Sequence, residues 1–212
     1  MARSIGITGG IGAGKSVVSR LLRLMGYPVF DCDSEAKRLM EEDSALRESL
    51  IGVLGKDAYT GRRLNREYVA SRIFTDETVR NEVNRLVHEA VRNSFRDFRN
   101  SAVGIVFIET AILVTGGLLP LVDEVWLVDA PKEVRKRRVM ARNALSDKKV
   151  EERMAVQKRE FEFLPASVTR IIDNGGESSV WQQVVRLLED AYRDSAPDSG
   201  YIPLHEFELK GY

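Results

Sequence analysis

Eight residues near the start of the chain, Gly9-Gly10-Ile11-Gly12-Ala13-Gly14-Lys15-Ser16, follow the spacing G-x-x-x-x-G-K-[ST]. Glycines let a backbone curl until successive N–H groups converge on one anion. A helix starting where the loop ends adds the partial positive charge of its N-terminus. In this pattern Lys15 supplies a mobile ammonium for β- and γ-phosphates, and the Ser16 hydroxyl is the ligand expected for Mg²⁺. The pattern needs a strand before it and a helix after it. Residues 4–8 are an apolar run, and Val17, Val18, Leu21, Leu22 and Met25 recur at helical spacing. The chemistry indicated is nucleotide binding, which does not by itself name a reaction.

Asp31 and Asp33 come next. In an extended segment residues i and i+2 face the same side, so both carboxylates can face a site while Cys32 turns away. A carboxylate near a γ-phosphate can take the proton of an attacking hydroxyl or hold Mg²⁺-bound water. Asp33 can equally be the N-cap of a following helix. Arg135, Arg137, Arg138 and Arg142 form a basic helix. Arg138 and Arg142 share a face at i, i+4, where they can stabilise charge on a transferring phosphoryl group or be merely solvated. Arg85, His88, Arg92, Arg96 and Arg99 form a second stripe able to hold anionic groups of a second substrate. Arg96 and Arg99 read there as a solvated face. Glu109 follows a buried apolar run and suits a magnesium shell or a substrate contact. The other histidine, His205, has no evident role.

These residues need elements to position them. Apolar runs at 4–8, 28–31, 103–108, 125–129 and 168–173 read as five strands. The first two flank a helix within about 30 residues, a βαβ unit and hence a parallel sheet. The segment 34–100 shows no clear strand and reads as a helical insertion. Asp43 or Ser44, Asn65 and Thr75 are its candidate N-caps, and Gly52, Gly55 and Gly61 punctuate its loops. Pro131 opens the arginine-rich helix, residues 143–146 break it, and Ser146 can cap the next. Ser179 and Gln182 have capping-box spacing before a last helix. Strands alternating with helices make an α/β, doubly wound domain with a five-stranded parallel sheet. Ligands bind such sheets at the carboxyl ends of the strands. Thr8, Asp31, Asp33, Glu109, Asp129 and Asn174 all fall there. The expected division is residues 1–34 with 101–195 as nucleotide-binding core, 35–100 as insertion, about 138–158 as lid, and 196–212 as tail.

Composition excludes several classes. The 32 basic residues balance the 32 acidic ones, which argues against a nucleic-acid partner. The lone Cys32 cannot form an internal disulfide. One cysteine and two distant histidines make no zinc set. No stretch approaches the ~18 apolar residues of a membrane helix, and no signal peptide is visible, so the cytoplasm is the expected location. From the residues alone two classes stand: a P-loop kinase for a small acceptor, such as a nucleoside monophosphate, and a nucleotide-dependent switch. A carboxylate at Asp33 and a basic lid speak against the switch, which needs no base for an acceptor alcohol.

The runs ITGGIGAGKS, DCDSEAKRLM, LVHEAVR, LVDEVWLVDAPKEVRKRRVMARNALSDKKVEERMAVQ and IIDNGG resemble, in order and spacing, the dephospho-coenzyme A kinase family. The combination is specific: Thr8 before the loop, Asp-x-Asp after the second strand, Arg138 and Arg142 in the lid, Gln157, and the Asn-Gly turn. The resemblance implies a P-loop kinase-like core, a helical region for the coenzyme and a lid. It implies phosphorylation by ATP, with Mg²⁺, of the ribose 3′-hydroxyl of dephospho-coenzyme A, and no obligate protein partner. Carried over by position, Asp33 is the base or hydroxyl-orienting group. Gly12, Ala13, Gly14, Lys15, Ser16 and Val17 bind ATP, and Arg142 reaches its phosphates. Asn174 and Gly175 lie near its adenine. Thr8, Asp33, His88, Arg92 and Glu109 face the coenzyme. The chain departs from the family pattern in having Glu89 for Pro after the histidine, and Arg135 and Asn143 for Gln and Asp. It also has Thr110-Ala111-Ile112-Leu113-Val114 where Pro-Leu-Leu-Phe-Glu is common.

Overall fold

The first apolar run lies at the centre of the molecule. In the computed structural model, which describes residues 2–143 and 146–195, β1 (Arg3–Thr8) is buried from Ser4 onward. It is followed by α1 (Lys15–Leu24), β2 (Val29–Asp31), α2 (Cys32–Glu42) and α3 (Ser44–Leu54). A small hairpin of β3 (Tyr59–Thr60) and β4 (Arg63–Leu64) leads to α4 (Arg66–Thr75) and the long α5 (Glu77–Ser101). Then come β5 (Ile105–Glu109), β6 (Glu124–Asp129), α6 (Lys132–Asn143), α7 (Asp147–Glu162), β7 (Thr169–Asp173) and α8 (Val180–Ser195). The expected tail, 196–212, and the inner part of the expected break at 143–146 lie outside the described residues.

Five strands pair in the order β2-β5-β1-β6-β7, all parallel, so the α/β doubly wound expectation holds. Register sets the carboxyl ends level: Asp31 pairs with Glu109, and Asp129 with Asp173. Chain direction from β1 diverges to both sides of the sheet, which opens a crevice at those ends.

Strand side chains alternate between two apolar cores. Ile5, Ile7, Phe107, Trp126 and Val128 face α1 and α8, where Val18, Leu22, Val184 and Leu188 are buried. Ile108 and Val125 face the insertion, packing with Phe30, Leu113 and Phe95. The α5 residues Val83, Val91 and Phe95 are buried, with Leu86, Val87 and Ala90 packed beside them. Fully burying one such side chain stabilises by about 1.5–3 kcal/mol, so this face holds α5 in the core it shares with α2, α3 and the sheet.

Several local expectations are corrected. Thr75 does not cap α5; it closes α4, and its hydroxyl bonds back to Ser71 O and Arg72 O. Asp76 is the cap, accepting from Thr78 N and Val79 N at 2.9 and 3.1 Å, because its carboxylate is one residue better placed. Asp43 and Asn65 cap α3 and α4 as expected. Gly52 lies inside α3, and the β3–β4 hairpin turns at Gly61, φ 61°. Two-residue strands are too short to show alternation. Ser146 occupies the N-cap position of α7 without a side-chain hydrogen bond. Ser179 Oγ takes the Gln182 N–H at a long 3.4 Å.

Candidate active site

The P-loop is built by conformations only glycine adopts without strain. Gly14, φ 101°, caps α1, and a Cβ there would stand 2.1 Å from the Asn174 side-chain nitrogen. Gly12, φ 79°, lies against α6, where a Cβ would meet Arg135 O at 2.5 Å. The loop is therefore closely packed between α6 and the turn after β7. Asn174 donates through Nδ2 to Ala13 O at 2.7 Å, and its own N–H goes to Asp129 O. Arg138 reaches Asn174 O at 3.0 Å and Gly12 O at 3.4 Å. Asn174 thus braces the loop from behind. Gly175 N bonds to Asp173 Oδ1. Neither Asn174 nor Gly175 lines the cavity in front of the loop.

That cavity, of about 570 Å³, is lined by Gly12, Gly14, Lys15 and Ser16 from the P-loop and by Asp31, Asp33, Ser34 and Lys37 after β2. Glu109 and Thr110 border it after β5, and Arg138, Arg142 and Gln157 after β6. Four cationic side chains, Lys15, Lys37, Arg138 and Arg142, face it beside three carboxylates, a balance suited to a polyphosphate with a metal ion. Among the expected ATP residues, Ala13 is fully buried and its N–H is taken by Gly10 O; Val17 is half exposed and its N–H goes to Gly14 O. The remaining loop amides head a helix whose first N–H groups lack intrahelical acceptors.

Lys15 Nζ donates to Gly9 O at 2.7 Å. Burial pushes its pKa below the ordinary lysine value; Glu109 and Asp33 oppose that, and Arg142 adds to it. These four groups therefore share one electrostatic neighbourhood.

The two aspartates have separate jobs. Helix α2 begins at Cys32, so the segment is not extended past Asp31, and the expected i, i+2 alternation does not apply. Asp31 is the N-cap, accepting from Asp33 N and Ser34 N. Asp33 is not the cap: it sits in the first helical turn, exposed to the cavity, and its carboxylate makes no hydrogen bond among the described residues. Cys32 is buried, and burial pushes its thiol up to about 12, so it stays protonated and unreactive.

A smaller, mainly apolar slot of about 120 Å³ adjoins the cavity, sharing Asp33 and Thr110 with it. His88, Val91, Ile112 and Leu118 also line it. Burial and, secondarily, Arg92 hold His88 below the ordinary histidine pKa. Arg92 lines neither the cavity nor the slot; its Nη1 donates to Gly116 O at 2.9 Å.

Two expectations fail on burial. Thr8 is fully buried beneath the loop and does not line either space; its hydroxyl has no hydrogen-bond partner among the described residues. Arg99 is not on a solvated face. It donates to Ala2 O, Leu121 O and Asp123, tying α5 to the sheet. Arg85 and Arg96 are exposed and paired along the helix with Glu82 and Asn93. Lys37 was missed as a cavity residue, although its i+4 spacing from Asp33 carried the signal. The docking of Gln157, whose Oε1 takes the Ile11 N–H at 2.7 Å, has no local signal.

A dephospho-CoA kinase family model matches residues 3–179. The chain belongs to the dephospho-CoA kinase family. A dephospho-CoA kinase of Porphyromonas gingivalis is 38% identical, over 92% of this chain and 98% of that one. The crystal structure of TT1252 from Thermus thermophilus superimposes with a TM-score of 0.72 at 33% identity, over 91% of this chain and 97% of that one. A dephospho-CoA kinase from Campylobacter jejuni, at 18% identity, shares the fold with a TM-score of 0.64 over 92% and 100% of the two chains. The family resemblance read from the motifs is borne out, and the comparisons do not favour the alternatives of another acceptor or a switch. No described helix is long and apolar enough to cross a membrane.

Proposed function

We propose that this chain transfers the γ-phosphoryl group of ATP to the ribose 3′-hydroxyl of dephospho-coenzyme A, giving coenzyme A and ADP. The observation that carries the reading is the Asp33 carboxylate, exposed where the P-loop cavity meets the apolar slot and without a hydrogen bond among the described residues. A nucleotide switch has no use for such a group there, whereas an acceptor alcohol needs one. Family membership supports the choice of acceptor.

The acceptor oxygen forms its bond to the γ-phosphorus as the bond from that phosphorus to the β–γ bridging oxygen breaks. Asp33 takes the hydroxyl proton, and ADP leaves. Catalysis of this kind is mostly positioning and charge stabilisation. Lys15 holds the β- and γ-phosphates, and Arg142 strengthens its contact as charge spreads over the γ-oxygens. The lid, about residues 138–158, excludes water, and Gln157 fixes α7 on the P-loop. His88 and the slot take part of the acceptor, and Glu109 orients groups near Lys15. Arg92 acts by holding Gly116. Thr8 lies buried beneath the loop, out of reach of the acceptor, and Asn174 serves the nucleotide through the loop it braces.

Ser16 fits as the protein ligand of Mg²⁺. One hydroxyl near cavity carboxylates, with no metal-binding cluster of three or more His, Cys, Asp or Glu among the described residues, is the sparse set an ion uses when it keeps waters and phosphate oxygens. When bound, the ion neutralises charge on the β- and γ-oxygens.

The test is incubation with ATP, Mg²⁺ and a panel of acceptors including dephospho-coenzyme A and nucleoside monophosphates, with products weighed by mass spectrometry. One added phosphate on dephospho-coenzyme A is expected. Preference for a nucleoside monophosphate, or ADP release without any phosphorylated acceptor, overturns the reading.

A further inference from the structure

Glu160 is a carboxylate in α7, only 4% exposed, that the proposed reaction does not use. No ion pair forms with it among the described residues. Its partners all lie in the turn after β5. Val114 N and Thr115 N donate to Oε1, Thr115 N reaches Oε2 as well at 3.2 Å, and the Thr115 hydroxyl donates to Oε2 at 2.7 Å. A buried carboxylate without a cation persists only when donors converge on both of its oxygens, as here.

The same turn is held from the opposite side, where Arg92 of α5 donates to Gly116 O. On either side of these holds and at one of them, Ile112, Leu118 and Gly116 line the apolar slot together with His88 and Asp33. Three residues before Glu160 in α7, Gln157 is bonded to the P-loop at Ile11. Residues three apart share a helix face. One face of α7 therefore touches the donor loop and the acceptor wall together.

We infer that Glu160 is a positioning residue that fixes the 112–118 turn as the wall of the acceptor slot and ties that wall to the lid. The inference rests on the proposed acceptor chemistry. Its role requires two acceptor oxygens. A glutamine of the same shape turns an NH₂ group toward donors and loses at least one bond. Replacing Glu160 therefore acts on the acceptor more than on ATP.

Glu160→Gln, Glu160→Asp and Thr115→Val are compared with wild type by steady-state kinetics against each substrate and by thermal melting. Glu160→Gln is expected to raise KM for dephospho-coenzyme A about ten-fold, the scale of one charge-assisted hydrogen bond. KM for ATP should stay within about two-fold, and the charge-retaining Glu160→Asp should recover part of the loss. A folded Glu160→Gln with unchanged acceptor KM, or with both KM values raised alike, sinks the positioning role. If Glu160→Gln does not fold, Thr115→Val decides, because it removes only the hydroxyl bond: a selective rise in acceptor KM supports the role, and no rise overturns it. A wild type inactive on dephospho-coenzyme A overturns the functional reading and this inference together; an active wild type beside unaffected variants overturns only the inference.

Discussion

The Asp31 carboxylate accepts the backbone N–H groups of Asp33 and Ser34 at 3.1 and 3.0 Å. Capping of α2 thus falls to Asp31 and leaves the side chain of Asp33 available to the cavity. Helix stability and proton acceptance are carried by two neighbours that substitution can separate. Asp33→Asn removes the base but no cap, so kcat should fall roughly 10²- to 10⁴-fold. The melting temperature should hardly move, since only a first-turn charge worth about 0.3–1 kcal/mol is lost. Asp31→Ala should instead cost about 0.5–2 kcal/mol of stability. Kinetics beside thermal melts check both. A folded Asp33→Asn enzyme with wild-type kcat at several Mg²⁺ concentrations would move the base to Asp31 or Glu109.

Lys15 gives a prediction in pH. Burial holds its pKa below the ordinary lysine value, so the free enzyme loses this ammonium at a lower pH than a solvated lysine does. The pH profile of kcat/KM for ATP reports the free enzyme, and that of kcat the complex. An alkaline limb should therefore appear in kcat/KM for ATP. It should shift to higher pH in kcat, because bound phosphates favour the cation. Coincident alkaline limbs in both profiles would refute the assignment. Lys15→Ala should abolish most turnover at saturating ATP.

The P-loop was legible because its requirements are local: Gly12 and Gly14 have positive φ and no room for a Cβ, and the glycine spacing records this directly. The strand ends were legible because apolar runs stop at Asp31, Glu109 and Asp129. What escaped depends on distant partners. Arg99 resembles any arginine on a solvated stripe until Ala2, Leu121 and Asp123 are brought beside it. Nothing beside Glu160 in the sequence marks it, because its donors lie 45 and 46 residues away. The division of labour between Asp31 and Asp33 was missed for a subtler reason. Helix α2 starts directly after β2, with no linking residue to mark the change from period 2 to period 3.6.

His88 supplies a test of the slot. Burial, then Arg92, lowers its pKa below the ordinary value, so the folded state binds this proton less readily than the unfolded chain. As pH falls through the unfolded pKa of about 6.5, the unfolded state gains the proton first and stability is lost; above that pH the histidine is neutral in both states and the contribution is flat. Melting temperatures measured from pH 8 to pH 5 should fall less steeply for His88→Gln than for wild type. Parallel curves would mean that His88 is charged as easily in the slot as in water.

Arg99 and the turn it holds give the last prediction. Its guanidinium donates to Ala2 O at 3.0 Å, to Leu121 O at 3.2 Å and to Asp123 Oδ2 at 2.8 Å. Asp123 Oδ2 also accepts from Ser4 N and Ser4 Oγ, at 2.7 and 3.0 Å. One arginine therefore links the end of α5, the start of β1 and the turn before β6. All three lie at the amino ends of the strands, opposite the cavity. Arg99→Ala leaves Asp123 and Leu121 O to Ser4, whose hydroxyl also reaches Leu121 O at 2.9 Å, but removes the charged donor from Ala2 O and Asp123. Hydrogen bonds to charged groups contribute about 1.5–3 kcal/mol, so destabilisation on that scale is expected. Arg99→Lys should recover only part of it, because an ammonium lacks the planar fork that serves three acceptors in fixed directions. Since no group of the cavity touches this cluster, kcat and both KM values should stay near wild type at temperatures where the variant is folded. Denaturant unfolding and kinetics at low temperature check the two halves separately. Wild-type stability in Arg99→Ala would return this residue to the solvated face, and a selective loss of kcat would show that the far end of α5 is coupled to the site.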